Sequence, residues 1–267
     1  MRDLNSIRIR LKDKFVISIL ILLIFLMPFC KNENEHVKDI DGNVYKTVVI
    51  GKYKWMAENL KTTTFNNCTK IPFIEGNSNW SGLSSAGYCW YDDNKSNANI
   101  YGALYNWYAV TTGNLCPRGW RVPSDEEWKY LEGYVDSLYK IGDQIWNKSG
   151  LRGYDAGTRL KAASGWKLSG NGTDNFGFSA LPAGERLNSF NNSGGSCGFW
   201  WSCTEVSSSD AWYRCIIYGF DYISRDIHPK KMGFSVRCIK NGKCCRNSLR
   251  QSVGWSIRKV NCRSCCF

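Results

Sequence analysis

An amphipathic helix is the clearest pattern in the chain. Over Asp125–Val135 the large apolar side chains recur at three- and four-residue intervals, which places them on one helical face. These side chains are Trp128, Leu131 and Val135. Ser124 stands at the N-cap position and Glu127 follows three residues later, which is the spacing of a capping box. The pattern therefore predicts a helix that begins after Ser124 and packs its apolar face on the core.

Three short segments of alternating polar and apolar residues predict a small antiparallel sheet, namely Trp200–Thr204, Trp212–Tyr218 and Phe234–Ile239. Val44–Ile50 is a run rich in β-branched residues that predicts a further strand. The turn sequence Asp41-Gly42-Asn43 directly precedes Val44–Ile50 and predicts a hairpin. A second short helix is expected over Leu160–Ser164, before a loop rich in turn residues. The chain is therefore expected to form an α+β domain with one or two short helices, a small antiparallel sheet and long loops.

The N-terminal region has the pattern of an export signal. A basic start precedes the apolar run Phe15–Met27, which is shorter than the roughly 20 residues that a membrane-spanning helix needs. Cys30 and a polar stretch follow, an arrangement that resembles a bacterial lipoprotein signal, whose Cys becomes the lipidated first residue. We expect a signal peptide over 1–30, a linker over 31–38 and membrane attachment through Cys30. Ordinary export with an incidental Cys30 is the alternative.

The net charge of +12 first suggests a nucleic-acid partner, but its distribution argues against one. Most of the excess positive charge lies in residues 1–14 and 240–267, so the body of the chain is nearly neutral. Nucleic-acid binding needs a dense basic face, which the main domain lacks. Residues 241–267 combine basic side chains with clustered cysteines, and we expect a poorly ordered tail there. Zinc binding by those cysteines is the less favoured interpretation.

Several motifs occur in an order that resembles the Fibrobacter succinogenes major paralogous domain. They are Met56–Leu60, Tyr88–Asn94, Tyr101–Val110, Cys116–Trp128, Phe176–Gly184, Phe199–Ser202 and Gly233–Cys238. The resemblance runs from about Asp39 to Lys240, which we take as the domain. It implies a secreted bacterial module with a C-type-lectin-like fold, and it implies no settled activity.

The same resemblance suggests how some of the 13 cysteines pair. In the lectin-like fold the segment before the main helix lies beside the last strand, which implies a disulfide between Cys116 and Cys238. Two further pairs are expected, namely Cys68–Cys89 and Cys203–Cys215. Because residues 39–240 hold an odd number of cysteines, at least one lies outside these pairs or pairs with the tail.

Tryptophans are the candidate ligand-binding residues, because an apolar ring face can stack on a sugar. The loop from Ser164 to Ser202 and the strand after it carry the candidates, since binding residues concentrate on loops held by a rigid scaffold. These candidates are Trp166, Trp200, Trp201 and Trp212. Core packing is the competing interpretation of each ring, and it is the more common role of a buried tryptophan.

Catalytic and metal-binding signals are weak. The chain has only two histidines, His36 and His228, and no triad, zincin or phosphate-loop motif. The acidic-Pro-Asn and Trp-Asn-Asp stretches of calcium-dependent lectins are absent from the sequence, so we expect no metal and no cofactor. The helix entry also resembles that of formylglycine-generating oxidases, in which case a catalytic cysteine pair would be sought at Cys203 and Cys215.

Together these patterns predict an exported bacterial envelope protein that binds without catalysis. The expected ligand is a polysaccharide or an envelope protein, met at the cell surface or outer membrane. A structural or adhesive lipoprotein is the second hypothesis, and an oxidase of the formylglycine-generating kind is the third.

Overall fold

Antiparallel pairing organises the chain. The computed structural model describes residues 36–190 and 193–242, which form two main sheets, a two-stranded ribbon and short helices. The expected α+β class with few short helices is confirmed. Cys30, the predicted signal peptide and tail residues 243–267 lie outside the described residues. Within the described ranges, no helix has the length and apolar character needed to cross a membrane.

The strands in chain order are β1 (His36–Lys38), β2 (Val44–Ile50), β3 (Tyr53–Met56), β4 (Tyr88–Cys89), β5 (Leu104–Tyr105), β6 (Trp120–Arg121), β7 (Gly150–Arg152), β8 (Cys197–Glu205), β9 (Asp210–Ile217), β10 (Ile223–Pro229) and β11 (Ile239–Lys240). One sheet has the order β1-β2-β3-β11-β6 and the other has the order β7-β10-β9-β8. β4 and β5 form the ribbon. The helices are α1 (Asn77–Ser81), α2 (Ala98–Tyr101), α3 (Trp107–Val110), α4 (Asp125–Val135) and α5 (Ala156–Leu160).

Helix α4 has the predicted bounds and the predicted cap. The Ser124 side chain accepts a hydrogen bond from the Glu127 amide at 3.3 Å, and the Glu127 carboxylate accepts one from the Ser124 amide at 2.9 Å. Its large apolar side chains are fully buried at Trp128, Leu131 and Val135. Local capping and periodicity were therefore sufficient to define this helix.

Three other expectations need correction. β1 lies in residues 36–38, which were expected to be linker, and pairs with β2. The second helix is α5 and ends at Leu160, because the chain then pairs with the loop after it: the Ala162 amide donates to the Ala180 carbonyl at 2.9 Å. Of the expected strand Phe234–Ile239, only Ile239 lies in a strand, which is β11. Phe234 and Ser235 instead form isolated bridges.

The sheet that contains β8 and β9 is covered on both faces. Trp200 packs in the cluster that includes helix α4, and its neighbour Trp201 packs in a second cluster on the opposite face. Neighbouring strand residues point to opposite faces, so both rings are buried only because both faces are covered. Each ring is 0% exposed.

Asn59 connects several of the sequence motifs in the interior. Its side-chain oxygen accepts hydrogen bonds from Trp200 Nε1 and Arg237 Nε, both at 2.9 Å. Its side-chain nitrogen donates to the Tyr101 carbonyl at 2.9 Å. Arg237 is fully buried and also donates to the carbonyls of residues 178 and 179. The motifs therefore meet at one satisfied polar centre, which is what a buried polar group requires.

The expected Cys116–Cys238 disulfide is present, with the two Cα atoms 6.0 Å apart. The other two expected pairings are wrong, since the described residues contain no Cys68–Cys89 or Cys203–Cys215 bond. Burial raises the pKa of the Cys89 thiol to about 12, so this thiol stays protonated. Cys203 is exposed.

Candidate functional site

A polar groove with an aromatic floor lies between the β2 hairpin turn and the segment around the β4–β5 ribbon. It consists of two adjoining cavities of about 400 and 450 Å³ that share Thr63, Trp90 and Lys95. We call it the aromatic groove, and its remaining lining residues are Asp41, Asn43, Lys61, Phe73, Glu75, Tyr88, Asp93, Ser96, Ala98 and Asn99. The cavity volumes fall in the range of small-molecule sites.

The floor is made of three rings that contact one another in sequence. Phe73 and Tyr88 have ring centroids 5.5 Å apart, and Tyr88 meets Trp90 edge to face at 5.2 Å. Phe73 is 42% exposed, whereas Tyr88 and Trp90 are almost buried. Phe73 therefore offers exposed ring surface to the groove, and Tyr88 packs against it.

Asp41 forms one wall, and its carboxylate is held by the neighbouring threonines. Its Oδ2 atom accepts hydrogen bonds from Thr62 Oγ1 at 3.1 Å, from the Thr63 amide at 2.5 Å and from Thr63 Oγ1 at 3.0 Å. Burial alone raises the pKa of Asp41, but the threonine hydrogen bonds outweigh it, so the pKa is lowered. Asp41 is therefore a fixed anion and hydrogen-bond acceptor at neutral pH.

Asp93 forms the opposite wall, and a buried arginine orients it. Arg186 NH1 donates to Asp93 Oδ1 at 2.5 Å, and the Gly76 amide donates to Asp93 Oδ2 at 3.1 Å. Arg186 is 0% exposed and its guanidinium lies 4.2 Å from the Phe190 ring centroid. Asp93 has φ 48°, a left-handed conformation that is uncommon for a non-glycine residue. This loop is therefore held rigidly by its interior contacts.

The rim of the groove combines both signs of charge with amides and hydroxyls. The lining includes carboxylates, lysines and asparagines, so the groove can donate and accept hydrogen bonds at several points. Such a surface suits a neutral, hydroxyl-rich ligand better than a single strong ion. Within residues 36–190 and 193–242, no group of three or more His, Cys, Asp or Glu side chains is arranged to hold a metal ion.

A second cleft of about 400 Å³ lies beside helix α4, but its rings are already engaged. Lys52 Nζ lies 5.1 Å from the Tyr53 ring centroid and 4.6 Å from that of Tyr130, which are cation–π distances. The two tyrosines also meet edge to face at 5.2 Å. The aromatic groove is therefore the better candidate for ligand stacking.

The four tryptophans predicted to bind a ligand lie outside the aromatic groove, and the prediction is wrong for two of them. Trp200 and Trp201 have no exposed surface, so neither ring can contact a ligand. Trp166 is 6% exposed and donates its indole N–H to the Ala180 carbonyl at 3.0 Å. Trp212 is half-buried, with the Arg225 guanidinium 3.4 Å from its ring centroid. None of the four lines the aromatic groove.

The sequence contained a signal for the groove that tryptophan counting missed. The run Tyr88–Asn94 places aromatic residues directly before a cluster of acidic and amide side chains. Asx turns explain part of that cluster, since the Asn94 side chain accepts from the Ser96 amide at 3.0 Å. They do not explain Asp93, which faces both the groove and the buried Arg186.

Comparison with known proteins gives a family and nothing closer. No curated protein and no solved structure matches the chain. The family model of the Fibrobacter succinogenes major domain matches residues 48–240, which is more than half of the chain and includes most of the groove. The chain therefore belongs to the Fibrobacter succinogenes major domain family.

Proposed function

We propose that this domain is a non-catalytic polysaccharide-binding module and that the aromatic groove is its binding site. The observation that supports this most is the combination of an exposed, fixed Phe73 ring with hydrogen-bonding side chains on both walls. Sugars present an apolar face and a hydroxyl-rich edge, and both are matched by such a surface.

The rigid walls favour binding because little order has to be gained when the ligand arrives. Asp41 accepts hydrogen bonds from Thr62 and Thr63, and Asp93 accepts them from Gly76 and the buried Arg186, so both carboxylates are already oriented before a ligand binds. A pre-organised site loses less conformational entropy on binding than a mobile one. The position of the groove on a preformed scaffold also agrees with the lectin-like resemblance of the sequence.

Location enters the proposal through the N-terminal pattern. An export signal and a lipid anchor at Cys30 would place the groove outside the cytoplasm, where bacterial and plant polysaccharides are met. The domain would then act at the cell envelope, with the ligand on the cell's own surface or in its surroundings.

The proposal is tested with a panel of purified glycans and polysaccharides, against the wild-type protein, Phe73→Ala and Phe220→Ala. Phe73 and Phe220 are matched in exposure, at 42% and 41%, and Phe220 lies outside the groove lining. We expect saturable wild-type binding to one polysaccharide class and a loss of about tenfold in affinity for Phe73→Ala, which corresponds to about 1.4 kcal/mol. Phe220→Ala should bind like the wild type.

Two results would count against the proposal. Absence of binding across the panel would remove polysaccharide as the ligand and direct the search to envelope proteins. Equal affinity of the two phenylalanine variants would leave a polysaccharide-binding module but move its site away from the aromatic groove.

A further inference from the structure

Two cysteines that the sequence did not pair lie together on the sheet. Cys197 is the first residue of β8, and Cys215 lies on the adjacent strand β9. The register places Cys197 opposite Ile217 and Cys215 opposite Phe199, so the two cysteines are diagonal neighbours on one face. A hydrogen bond joins their side chains. The strand register therefore places the two cysteine side chains next to each other on one face of the sheet.

The two thiols differ in access. Cys215 is 5% exposed and belongs to the apolar core, whereas Cys197 is half-buried at the strand end. The hydrogen bond between them lowers the pKa of Cys197 and raises the pKa of Cys215. An accessible thiol with thiolate character attacks external disulfides, and a buried neighbour can then resolve the mixed disulfide.

We propose that Cys197 and Cys215 form a dithiol–disulfide exchange site that accepts a small-molecule or protein disulfide as its oxidant. The Cys197 thiolate attacks one sulfur of the disulfide RSSR, forming a Cys197–SR mixed disulfide and releasing RS⁻. The Cys215 sulfur then attacks Cys197 Sγ, displaces the second RS⁻ and completes the Cys197–Cys215 bond. The two thiol protons leave with the products, so the protein dithiol is oxidised and RSSR is reduced to two RSH.

The sheet geometry allows this bond with a small adjustment. Diagonal neighbours have Cα atoms roughly 7–8 Å apart, and disulfides usually span about 4.4–6.8 Å, so closure needs a movement on the order of 1 Å. Cys197 begins its strand after a turn, where its amide donates to the Ser193 carbonyl at 2.9 Å. A strand end accommodates such a movement more easily than a strand centre.

Cys203 provides the internal control for this site. It lies near the other end of the same strand β8 and is exposed. An exposed lone thiol is expected to form a stable mixed disulfide with a small oxidant, because it has no neighbour to resolve it.

The test treats the purified full-length protein with oxidised glutathione and maps its cysteines by non-reducing peptide mass spectrometry. We expect a Cys197–Cys215 cross-linked peptide in the wild type and in Cys203→Ser, with reversal by dithiothreitol. In Cys215→Ser we expect glutathione to remain on Cys197. Unfolding curves of the variants confirm that each one is folded.

The wild-type map decides the proposal even if a variant fails to fold. Glutathione retained on Cys197 in the wild type, or both cysteines recovered as unmodified thiols while Cys203 is glutathionylated, would overturn it. A cross-link from Cys215 to Cys203 instead would also overturn it.

Discussion

The charged residues around helix α4 and those of the aromatic groove differ in what their charges do. Beside α4, Glu132 is fully buried between Arg152 and Arg214, and Asp125 is buried between Arg214 and Arg225. In the groove, the walls also contain fixed carboxylates, but one side of each faces open space. The buried ion pairs beside α4 stabilise the fold, whereas the carboxylates of the aromatic groove are available to a ligand.

The comparison explains why a family can be identified here without an activity. Glu127 and Trp128 of the helix entry, and Arg237 of the closing motif, lie in the interior or in caps. Such residues specify how the chain folds. The groove combines residues of the motif Tyr88–Asn94 with residues outside the listed motifs, such as Asp41 and Phe73, and a binding activity has to be argued from such a site and not from the fold.

The largest expected effect of a single change is on the buried charges. Glu132→Ala leaves Arg152 and Arg214 without their carboxylate, and we expect a loss of about 3–5 kcal/mol in the free energy of unfolding. Urea unfolding measures this loss. The matched control is Glu126→Ala on the same helix, whose side chain is 80% exposed and pairs with Lys129 at the surface.

The control should cost less than about 1 kcal/mol, because an exposed ion pair contributes little. Equal losses for Glu132→Ala and Glu126→Ala would show that the buried network does not hold the fold.

The second largest effect is expected from acid, which should remove the ion pairs of Asp125 and Glu127 around α4. Burial raises the pKa of Asp125 and Glu127, but hydrogen bonds from Arg225 and Arg121 outweigh it, so both pKa values are lowered from 3.8 and 4.5. Below those ordinary values the unfolded chain binds protons that the folded chain does not, so the free energy of unfolding decreases as the pH is lowered. We expect the free energy of unfolding to be steady above about pH 5 and to decrease between pH 4.5 and pH 3. A flat profile over that interval would contradict the assignment.

The helix cap should have an intermediate effect. Ser124→Ala removes the acceptor of the Glu127 amide, and we expect a loss of about 1 kcal/mol in the free energy of unfolding. Thermal or urea unfolding detects a change of this size. Ser124→Asp should restore most of the loss, since aspartate also caps helices. Failure of this rescue would mean that the Ser124 hydroxyl acts through other contacts.

The smallest expected effect on stability is in the groove. Phe73→Ala removes a ring that is 42% exposed, so we expect less than about 1 kcal/mol of destabilisation together with the affinity loss described above. Unfolding and binding are measured on the same preparation. A loss above about 3 kcal/mol would place Phe73 among the core residues and weaken the separation between scaffold and site.

Local signals were enough to predict some elements and not others. Helix α4 carries its own cap and periodicity, and its bounds were predicted correctly. The strand β10 was missed because its residues do not alternate, and its pairing with β9 is decided by tertiary contacts. The Trp200-Trp201 pair was ambiguous because the sequence does not show that both faces of the sheet are covered.

The complete groove could not be predicted from sequence for a similar reason, although the run Tyr88–Asn94 supplies its floor and one wall. Its walls come from the hairpin turn at Asp41 and the loop at Asp93, which are far apart in the chain. Asp93 is in turn oriented by Arg186, which comes from a third segment and is buried behind it. A local sequence pattern does not predict contacts among three segments that are far apart in the chain.

Hydrogen–deuterium exchange of the wild-type protein, with and without the best-binding polysaccharide of the panel, tests the central claim most directly. We predict slower exchange in residues 61–63 and 88–99 when the polysaccharide is bound, with no change in helix α4. Protection confined to helix α4 and residues 141–147, or to the loop from Ser164 to Ser202, would contradict the assignment of the aromatic groove as the binding site.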